Sequence, residues 1–385
     1  MHYDFPLIRH IDDVLPHIEG YDEFIVAQKD GYTVINYNLM TSATFGLADE
    51  ITEADMIRRE CRGIIFCSET GKIIRRPLHK FFNLNERIET QEQNVDLNKP
   101  HHIIEKLDGS MIVPMYVHGK IIWGTKMGAT DVAKPVEEFV LNNPKYTQMA
   151  EDLLRYGHSP IYEWCSRKQR IVIDYPEDML VLTAVRDIQS GRYMKYEFMV
   201  PMVSIYDVPL AKTIPSDKPL SELAKFIADS TDEEGFVIRF EDGHMVKAKS
   251  DWYVAIHKAK EEILWDRNIV QLIMDEKLDD VMAHLPESDR DRLTVFRDVF
   301  SSKRAQHIKD IHEDLQVMQY DRKSFALDIA PMLDAFTKAI MFSCWDDRSK
   351  ERVAVEVDKT ILKSLTKNSN WETLNEAWFG VKFNS

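Results

Sequence analysis

The sequence lacks the common phosphate-binding signatures. It contains no Gly-x-x-x-x-Gly-Lys-Ser/Thr segment, and no Gly-x-Gly-x-x-Gly follows a strand-like run. These absences argue against the P-loop and dinucleotide-binding classes of protein. A chain that handles a nucleotide without a glycine-rich loop must rely on cations and on a covalent bond.

Signals for metal binding by cysteine, for secretion and for membrane insertion are also missing. The four cysteines show no Cys-x-x-Cys spacing, and the 13 histidines form no His-Glu-x-x-His pair. Apolar runs fall short of the ~20 residues that cross a bilayer. Met1 to Arg9 has no basic-then-apolar signal pattern. We therefore expect a soluble protein of the reducing cytoplasm, with no membrane partner.

The chain has no excess of positive charge. Its 49 basic and 64 acidic residues give a net charge of −15, which disfavours a protein that coats nucleic acid non-specifically. A locally basic site on an acidic body remains open. The length of 385 residues is sufficient for two or three domains, at ~150 residues per domain.

Hydrophobic periodicity predicts an α+β body followed by a helical tail. Asp30-Gly31 predicts a hairpin turn, and Ile171 to Ile173 predicts a strand. Val132 to Tyr156 has helical spacing that is broken near Pro144. We place antiparallel sheets with flanking helices in residues 1–258 and an all-helical domain in residues 259–385, where Ser288 is a candidate helix N-cap.

The stretch I-I-E-K-L-D-G-S-M-I-V, residues 103–113, has two interpretations. Asp-Gly between apolar runs is typical of a plain two-residue hairpin. The alternative is that Lys106 is a nucleophile. A free lysine amine has a pKa of ~10.4 and is protonated at neutral pH, so a nucleophilic lysine requires neighbouring cations and burial to lower that pKa.

A second hairpin, Glu233 to Tyr253, supplies such neighbours. If Asp242-Gly243 is a two-residue turn, Ile238 opposes Lys247 and Phe236 opposes Lys249. Lys247 and Lys249 then share one face, and Glu234 falls on the same face. Two lysines can neutralise phosphate oxygens, and a carboxylate can hold a divalent metal. The plainer alternative is a solvated face with chance pairing.

The order of these segments resembles that of the covalent nucleotidyltransferases. The segments are Lys106-x-Asp108-Gly109, Glu163 in Y-E-W, Glu234-Gly235 and Lys247-x-Lys249. Three further stretches closely resemble the bacteriophage RNA ligase 1 family, which repairs tRNA. They are E-C-R-G-I-I-F (60–66), H-K-F-F-N-L-N-E (79–86) and K-S-D-W-Y-V (249–254).

This resemblance implies an ATP-dependent RNA ligase that works in three steps. Lys106 attacks ATP to form lysyl-AMP, AMP moves to an RNA 5′-phosphate, and a 3′-hydroxyl displaces it. The implied cofactors are ATP and Mg²⁺. The implied partner is single-stranded RNA or a nicked tRNA anticodon loop, joined by a monomer in the cytoplasm, which is the host cytoplasm if the chain is phage-encoded.

The resemblance also implies roles for single residues. Arg62 and Lys80 match residues that contact the ATP phosphates or the RNA end being joined. Tyr37 matches a residue near the triphosphate, and Glu163 matches a ribose-binding residue. Lys247 and Lys249 match α-phosphate ligands, and Lys126 matches a lysine that the family needs. The implied metal residues are Glu234 and Asp279. Simpler alternatives stay open: Arg62 may pair with Glu60 or Asp55, and Lys80, Tyr37 and Asp279 may be ordinary surface or half-buried residues.

Rival functions are weighed by the same residues. A non-catalytic RNA-end or ATP-binding module would not need the complete set of lysines and glutamates. Met111 stands where many DNA ligases and capping enzymes carry an arginine, which disfavours those classes. We expect the helical tail to help choose the RNA through Lys303-Arg304 and Arg322-Lys323, although acidic residues outnumber basic ones there.

Overall fold

The computed structural model describes residues 4–41, 43–46 and 51–383. The chain divides into two compact units, residues 1–254 and 255–385. The first unit combines antiparallel sheets with helices and the second is helical, so the predicted α+β class with a helical C-terminal region is confirmed. The boundary predicted after residue 258 lies inside one helix, Asp251–Glu262, and stays a prediction.

In the described part of the first unit, twelve strands form three four-stranded sheets. Their orders are β1-β2-β3-β4, β10-β9-β7-β8 and β5-β12-β11-β6. All strand pairs described are antiparallel except β12 with β5. The strands are β1 (Phe24–Lys29), β2 (Tyr32–Tyr37), β3 (Arg62–Cys67), β4 (Ile73–Arg75), β5 (Phe82–Asn83), β6 (His101–Lys106), β7 (Ser110–Val117), β8 (Lys120–Gly124), β9 (His158–Cys165), β10 (Met179–Asp187), β11 (Gly235–Phe240) and β12 (Met245–Lys249).

Seven α-helices accompany these sheets within the described residues. Thr52 caps the second helix in a reciprocal capping box with Asp55. Pro144 occupies the first turn of the fourth helix, so the predicted break there is confirmed. The helices are α1 (Leu15–Ile18), α2 (Glu53–Glu60), α3 (Lys134–Asn142), α4 (Pro144–Arg155), α5 (Tyr196–Tyr206), α6 (Leu220–Ala228) and α7 (Asp251–Glu262).

One hairpin turn and one strand that the local sequence predicts have different outcomes in the structure. The Asp30-Gly31 hairpin is confirmed, since Lys29 pairs with Tyr32 across it and Gly31 has a φ of 80°. The strand predicted at 171–173 is wrong. That segment is irregular because the amides of Val172 and Ile173 donate to a side chain, the Asp108 carboxylate, instead of to a neighbouring strand.

The two later sheets each bury one face against helices. Phe236, Ile238 and Val246 of the β5-β12-β11-β6 sheet form a core with Leu223 and Ile227 of α6. The other sheet packs on α3, α4 and α5. The remaining faces of the two sheets meet, with Ile104 of β6 in one cluster with Val181 of β10. Polar side chains at the end of this contact therefore lie in a cleft between sheets.

Within the described residues, the second unit consists of the larger part of α7, from Ala255 onward, and of helices α8 to α14. Its core contains Phe300, Leu315, Val357, Trp371 and Phe379. The prediction that Ser288 is a helix N-cap is wrong. The long helix begins one residue earlier, at Glu287, and its N-cap residue is Pro286. The helices are α8 (Asp266–Met274), α9 (Leu278–Met282), α10 (Glu287–Val317), α11 (Arg322–Ser324), α12 (Ala335–Ser343), α13 (Lys350–Ser364) and α14 (Asn368–Leu374).

A search of the described helices for a membrane span finds none with both the length and the apolar character required.

Candidate active site

The Asp108-Gly109 turn joins two different sheets. β6 ends at Lys106 and pairs with β11, whereas β7 begins at Ser110 and pairs with β8 and β9. The plain hairpin interpretation is therefore wrong. Lys106 ends its strand because the chain leaves one sheet there and enters the other, which places the lysine at the cleft between them.

Buried contacts fix this crossing. The Asp108 carboxylate accepts hydrogen bonds from the Val172 and Ile173 amides, both at 2.7 Å, and from the Tyr253 hydroxyl at 2.7 Å. Gly109 passes so close to β9 that a Cβ there would lie 2.3 Å from the Trp164 carbonyl oxygen. The turn is rigid because a buried carboxylate with three donors holds one side of it and a close strand bounds the other.

Glu234 joins two of the predicted lysines. Its Oε1 lies 2.6 Å from Nζ of Lys106 and 3.0 Å from Nζ of Lys249. Strand register explains the meeting, since Gly235 pairs with Lys106 on β6 and with Lys249 on β12. The Glu234 side chain is 3% exposed, while both lysines keep about a quarter of their surface open (22% and 28%).

The register of the second hairpin differs from the prediction by one residue. Val237 opposes Lys247 and Ile238 opposes Val246. The turn holds three residues, because the amide of Phe240 donates to the carbonyl of His244 across it. The predicted pairing of lysines with Phe236 and Ile238 is therefore wrong, and those side chains belong to the core face. Lys247 and Lys249 do share a face, together with Lys106.

The surroundings of Lys247 lower its pKa strongly. Burial is the main cause that lowers its pKa to about 7, and repulsion from Lys80 and Arg62 adds to it. Lys106 and Lys249 add to the repulsion. Its ammonium lies 5.5 Å from the centre of the Phe81 ring. A partly deprotonated lysine among cations marks a place where an anion would be strongly stabilised.

Glu163 faces the same cleft from the other sheet. It lies on β9 directly opposite Met111, the position at which many DNA ligases and capping enzymes carry an arginine. Burial raises the pKa of Glu163 to about 7, against the attraction of Lys106. Both the protonated and the ionised carboxyl group can hydrogen-bond a hydroxyl group of a ligand.

Arg62 is not paired with the acids that the alternative interpretation proposed. Glu60 binds Arg76 and Arg186 instead, and Asp55 binds Arg58. Within the described ranges no carboxylate lies at ion-pair distance from Arg62, whose Nη1 contacts Met111 Sδ at 3.8 Å. The guanidinium thus lies beside the residue that replaces the missing arginine.

Lys126 lies near Arg62 on the turn Thr125–Gly128. Thr125 and Gly128 close the turn with hydrogen bonds of 2.9 Å in both directions. A Cβ on Gly63 would lie 2.5 Å from the Lys126 carbonyl oxygen, so the turn packs directly on the start of β3. Burial, followed by repulsion from Arg62, lowers the pKa of Lys126.

Lys80 and Tyr37 lie together among aromatic rings. The Lys80 ammonium is 5.8 Å from the Tyr37 ring centre and 4.8 Å from that of Phe82. Burial lowers the pKa of Lys80 to about 8, with Glu86 opposing the shift. Lys80 is not an ordinary surface side chain, because it is 8% exposed. Tyr37 is a half-buried aromatic residue at the end of β2, in agreement with its simpler alternative.

Asp279 lies on the second unit, in α9. It is 85% exposed and its Oδ1 is 3.5 Å from Nη1 of Arg297. No group of three or more histidine, cysteine or acidic residues among the described residues is arranged as a ready-made metal site. Its predicted metal role stays a prediction.

Sequence reasoning missed the residues that support the lysines. Tyr253 binds Asp108 and lies 4.8 Å below the Lys249 ammonium. Phe81 lies beside both Lys247 and Arg62. Both belong to segments that had been singled out for their resemblance, 79–86 and 249–254. Their position in those segments is the signal from which the sequence could have identified them as site residues.

Taken together, three lysines and Arg62 surround a cleft with two acids, Glu234 and Glu163. Such a site can bind a polyphosphate, place one amine against phosphorus and stabilise the charge that develops there. Carboxylate oxygens are ligands that Mg²⁺ accepts, usually one or two of them together with phosphate oxygens.

Comparisons with known proteins agree with this chemistry. A family model described as RNA ligase matches residues 60–262, more than half of the chain. A putative RNA ligase of Thermovibrio ammonificans is 29% identical over 306 residues, covering 76% of this chain and 77% of that protein. RNA ligase 1 of bacteriophage TS2126 is 24% identical over 245 residues, covering 59% and 58%.

Two further similarities cover less or are weaker. The alignment with a putative bifunctional polynucleotide kinase/RNA ligase of Autographa californica nuclear polyhedrosis virus is 26% identical and covers 59% of this chain but 35% of that protein. The structure of an archaeal ATP-dependent RNA ligase is 14% identical with a TM-score of 0.43, over 69% of this chain and 68% of that one.

Proposed function

Because the chain belongs to the phage-type RNA ligase family, we propose that it is an ATP-dependent RNA ligase that joins 5′-phosphate and 3′-hydroxyl ends through a lysyl-AMP. The observation that carries the proposal is the meeting of Lys106 and Lys249 at the Glu234 carboxylate, 2.6 and 3.0 Å from its Oε1, on the face that also bears Lys247. A non-catalytic binding module would not require this contact.

In the first step the Lys106 amine attacks the α-phosphorus of ATP. An N–P bond forms, the bond to the bridging oxygen breaks, and pyrophosphate leaves. Lys106 must give up a proton for this, and the Glu234 carboxylate at 2.6 Å is in reach to accept it. Lys247 and Lys249 stabilise the α-phosphate, Glu163 holds the ribose, and Arg62, Lys80, Tyr37 and Lys126 contact the remaining phosphates.

The later steps use the same residues. An RNA 5′-phosphate oxygen attacks the adenylate phosphorus, the N–P bond breaks and the Lys106 amine is regenerated. A 3′-hydroxyl then attacks the 5′-phosphate, the new phosphodiester forms and AMP leaves. Each transition state builds negative charge on one phosphoryl group, and the lysines are placed to stabilise it.

Mg²⁺ fits the acids that the cleft offers. Glu234 would hold it together with phosphate oxygens. The metal role of Asp279, which lies in the second unit, stays a prediction. The ion, when bound, withdraws charge from the phosphoryl oxygens.

Single-stranded RNA, including a nicked tRNA anticodon loop, is the proposed substrate. The support is the resemblance to phage RNA ligase 1 and the name of the relative from phage TS2126. The four cysteines are free thiols, in agreement with the proposed cytoplasmic location. We further propose that the protein acts as a monomer.

The test is joining of a 5′-phosphorylated single-stranded RNA with a free 3′-hydroxyl in the presence of ATP and Mg²⁺. We expect a circular or lengthened product, no product from the 5′-hydroxyl RNA, and none without ATP. Matched DNA strands serve as the control for substrate class. Adenylation of the protein without any joining of RNA would contradict the ligase and favour a different nucleotidyl acceptor.

A further inference from the structure

Arg75 is a buried cation that no carboxylate neutralises. Its side chain is 0% exposed, and within the described part of the chain no acid lies at ion-pair distance from it. The guanidinium instead donates to three backbone carbonyl groups. Nη2 lies 2.8 Å from the Thr125 oxygen and 3.0 Å from that of Gly63, and Nη1 lies 3.3 Å from that of Val113.

This arrangement is costly for the fold alone. Burial lowers the pKa of Arg75 to about 9, so the group is still charged at neutral pH. Burying a charge without a counter-ion costs several kcal/mol. The neighbouring Arg76 is buried as well, but it shares the Glu60 carboxylate. Arg75 therefore differs from its neighbour in having only carbonyl dipoles as partners.

The three carbonyl groups belong to segments that carry site residues. Gly63 follows Arg62, Thr125 precedes Lys126, and Val113 lies two residues beyond Met111 on β7. Glycines make room for the junction: a Cβ on Gly124 would lie 2.9 Å from Nη1 of Arg75, and one on Gly63 would meet the Lys126 carbonyl. One planar guanidinium thus ties together the backbone beneath both cations.

We propose that Arg75 is a positioning residue that holds Arg62 and Lys126 in register for the nucleotide phosphates. The proposal rests on the proposed function, since it assumes that these two cations bind ATP. A lysine cannot replace Arg75, because one ammonium cannot reach three carbonyl oxygens in the directions that the guanidinium fork serves. Loss of the fork lets the turn Thr125–Gly128 move relative to β3.

The test compares Arg75→Lys with Arg348→Lys. Arg348 is a matched control because it also donates to three carbonyl groups, those of Leu315, Met318 and Trp345, but in the second unit. For Arg75→Lys we expect kcat/KM for self-adenylation to fall about 10- to 100-fold, mostly through KM for ATP, since small misplacements of binding groups cost this much. Arg348→Lys should stay within about twofold.

A double-mutant cycle separates positioning from general damage. In an Arg62→Ala/Lys126→Ala background, Arg75→Lys should cost less than about twofold, because the groups it positions are gone. A full additional loss in that background, or wild-type kinetics of Arg75→Lys, overturns the proposal. Absence of adenylation in the wild-type protein would instead contradict the proposed function, and ATP affinity by calorimetry would then decide the positioning role.

Tyr32→Phe covers the case in which Arg75→Lys does not fold. The Tyr32 hydroxyl accepts the Ala129 amide at 3.0 Å and holds the same turn from its other side. We expect a loss of about threefold in kcat/KM that disappears when Lys126 is already alanine. A loss that persists in the Lys126→Ala protein overturns the proposal.

Discussion

Two groups of charged side chains in the first unit differ in the ratio of cations to carboxylates. The arginine cluster consists of Glu60, Arg76 and Arg186. The lysine cluster consists of Lys106, Lys247, Lys249 and Glu234. In the first, both guanidinium groups reach the carboxylate directly, at 3.0 and 2.7 Å, and their other donors reach backbone carbonyls. In the second, Lys106 and Lys249 share the Glu234 carboxylate, and Lys247 adds a third cation to them.

The proton affinities reflect this difference. Burial disfavours ionised Glu60, but Arg186 and Arg76 outweigh it and lower its pKa to about 2. In the lysine cluster, burial and repulsion lower the pKa of Lys247 to about 7. The arginine cluster is complete without a ligand, whereas the lysine cluster becomes complete when an anion enters. We therefore propose that the first cluster serves the fold and that the second serves the binding of an anion.

The largest expected effect is on catalysis in the lysine cluster. Lys106→Ala should lower self-adenylation more than about 1,000-fold, since removal of a nucleophile leaves only the binding groups. Its urea midpoint should stay near that of the wild type, because the side chain is 22% exposed. Transfer of label from ATP to the protein measures self-adenylation, and circular dichroism during urea titration measures the midpoint. Lys120→Ala, on β8, is the control that should react normally.

A substitution in the arginine cluster should lower the free energy of unfolding. Glu60→Gln removes one partner of a buried pair and should lower the free energy of unfolding by about 3–5 kcal/mol, measured by urea titration. Because its folded pKa is depressed, Glu60 contributes stability that is present above the unfolded pKa of ~4.3 and lost as pH falls towards 2. The variant should therefore lose less stability than the wild type across that range. Equal acid sensitivity would contradict the role of the cluster.

The comparison also separates what the sequence could predict from what it could not. Lys106, Glu234 and Lys249 were recognised because each lies in a short stretch with a recognisable neighbour, and strand alternation placed Lys247 and Lys249 on one face. The register was missed, because a three-residue turn and a two-residue turn look alike around Asp242-Gly243. The hairpin at Asp108-Gly109 was a real alternative in sequence, since only long-range pairing with β11 and β9 excludes it.

Other features had no local signal at all. The strand expected at 171–173 is replaced by amides that cap Asp108, a contact across 64 residues. The buried Arg75 is one of two adjacent arginines after Ile73 and Ile74, and its three carbonyl partners lie 12, 38 and 50 residues away. Such contacts follow from tertiary packing, which periodicity and turn propensity do not encode.

A moderate effect is expected on the number of protons that the lysine cluster takes up when ATP binds. Phosphate binding favours the charged form of Lys247, so ATP binding near pH 8 should take up about one proton or less, and affinity should fall as pH rises from about 7 to 9. Calorimetry in buffers of different ionisation enthalpy measures this uptake. In Lys247→Arg, which stays charged, the uptake should shrink to the share of Lys80. An unchanged uptake would show that another group titrates.

The smallest effect is expected on the second unit. There Arg304 is held by Asp358 at 2.6 Å, and Lys303 donates to the Phe379 carbonyl, which leaves Arg322 and Lys323 as the better candidates for RNA contact. Arg322→Ala/Lys323→Ala should lower joining of nicked tRNA about threefold and leave short oligomers unaffected. Equal loss on both substrates would contradict a role in RNA choice. Lys338→Ala is the control.

Peptide mapping after incubation with ATP and Mg²⁺ most directly tests whether the lysine cluster carries out covalent chemistry. We predict a single acid-labile AMP on the peptide that contains Lys106, and none in the Lys106→Ala protein. AMP on Lys247 or Lys249, or a modification that survives the loss of Lys106, would contradict the account.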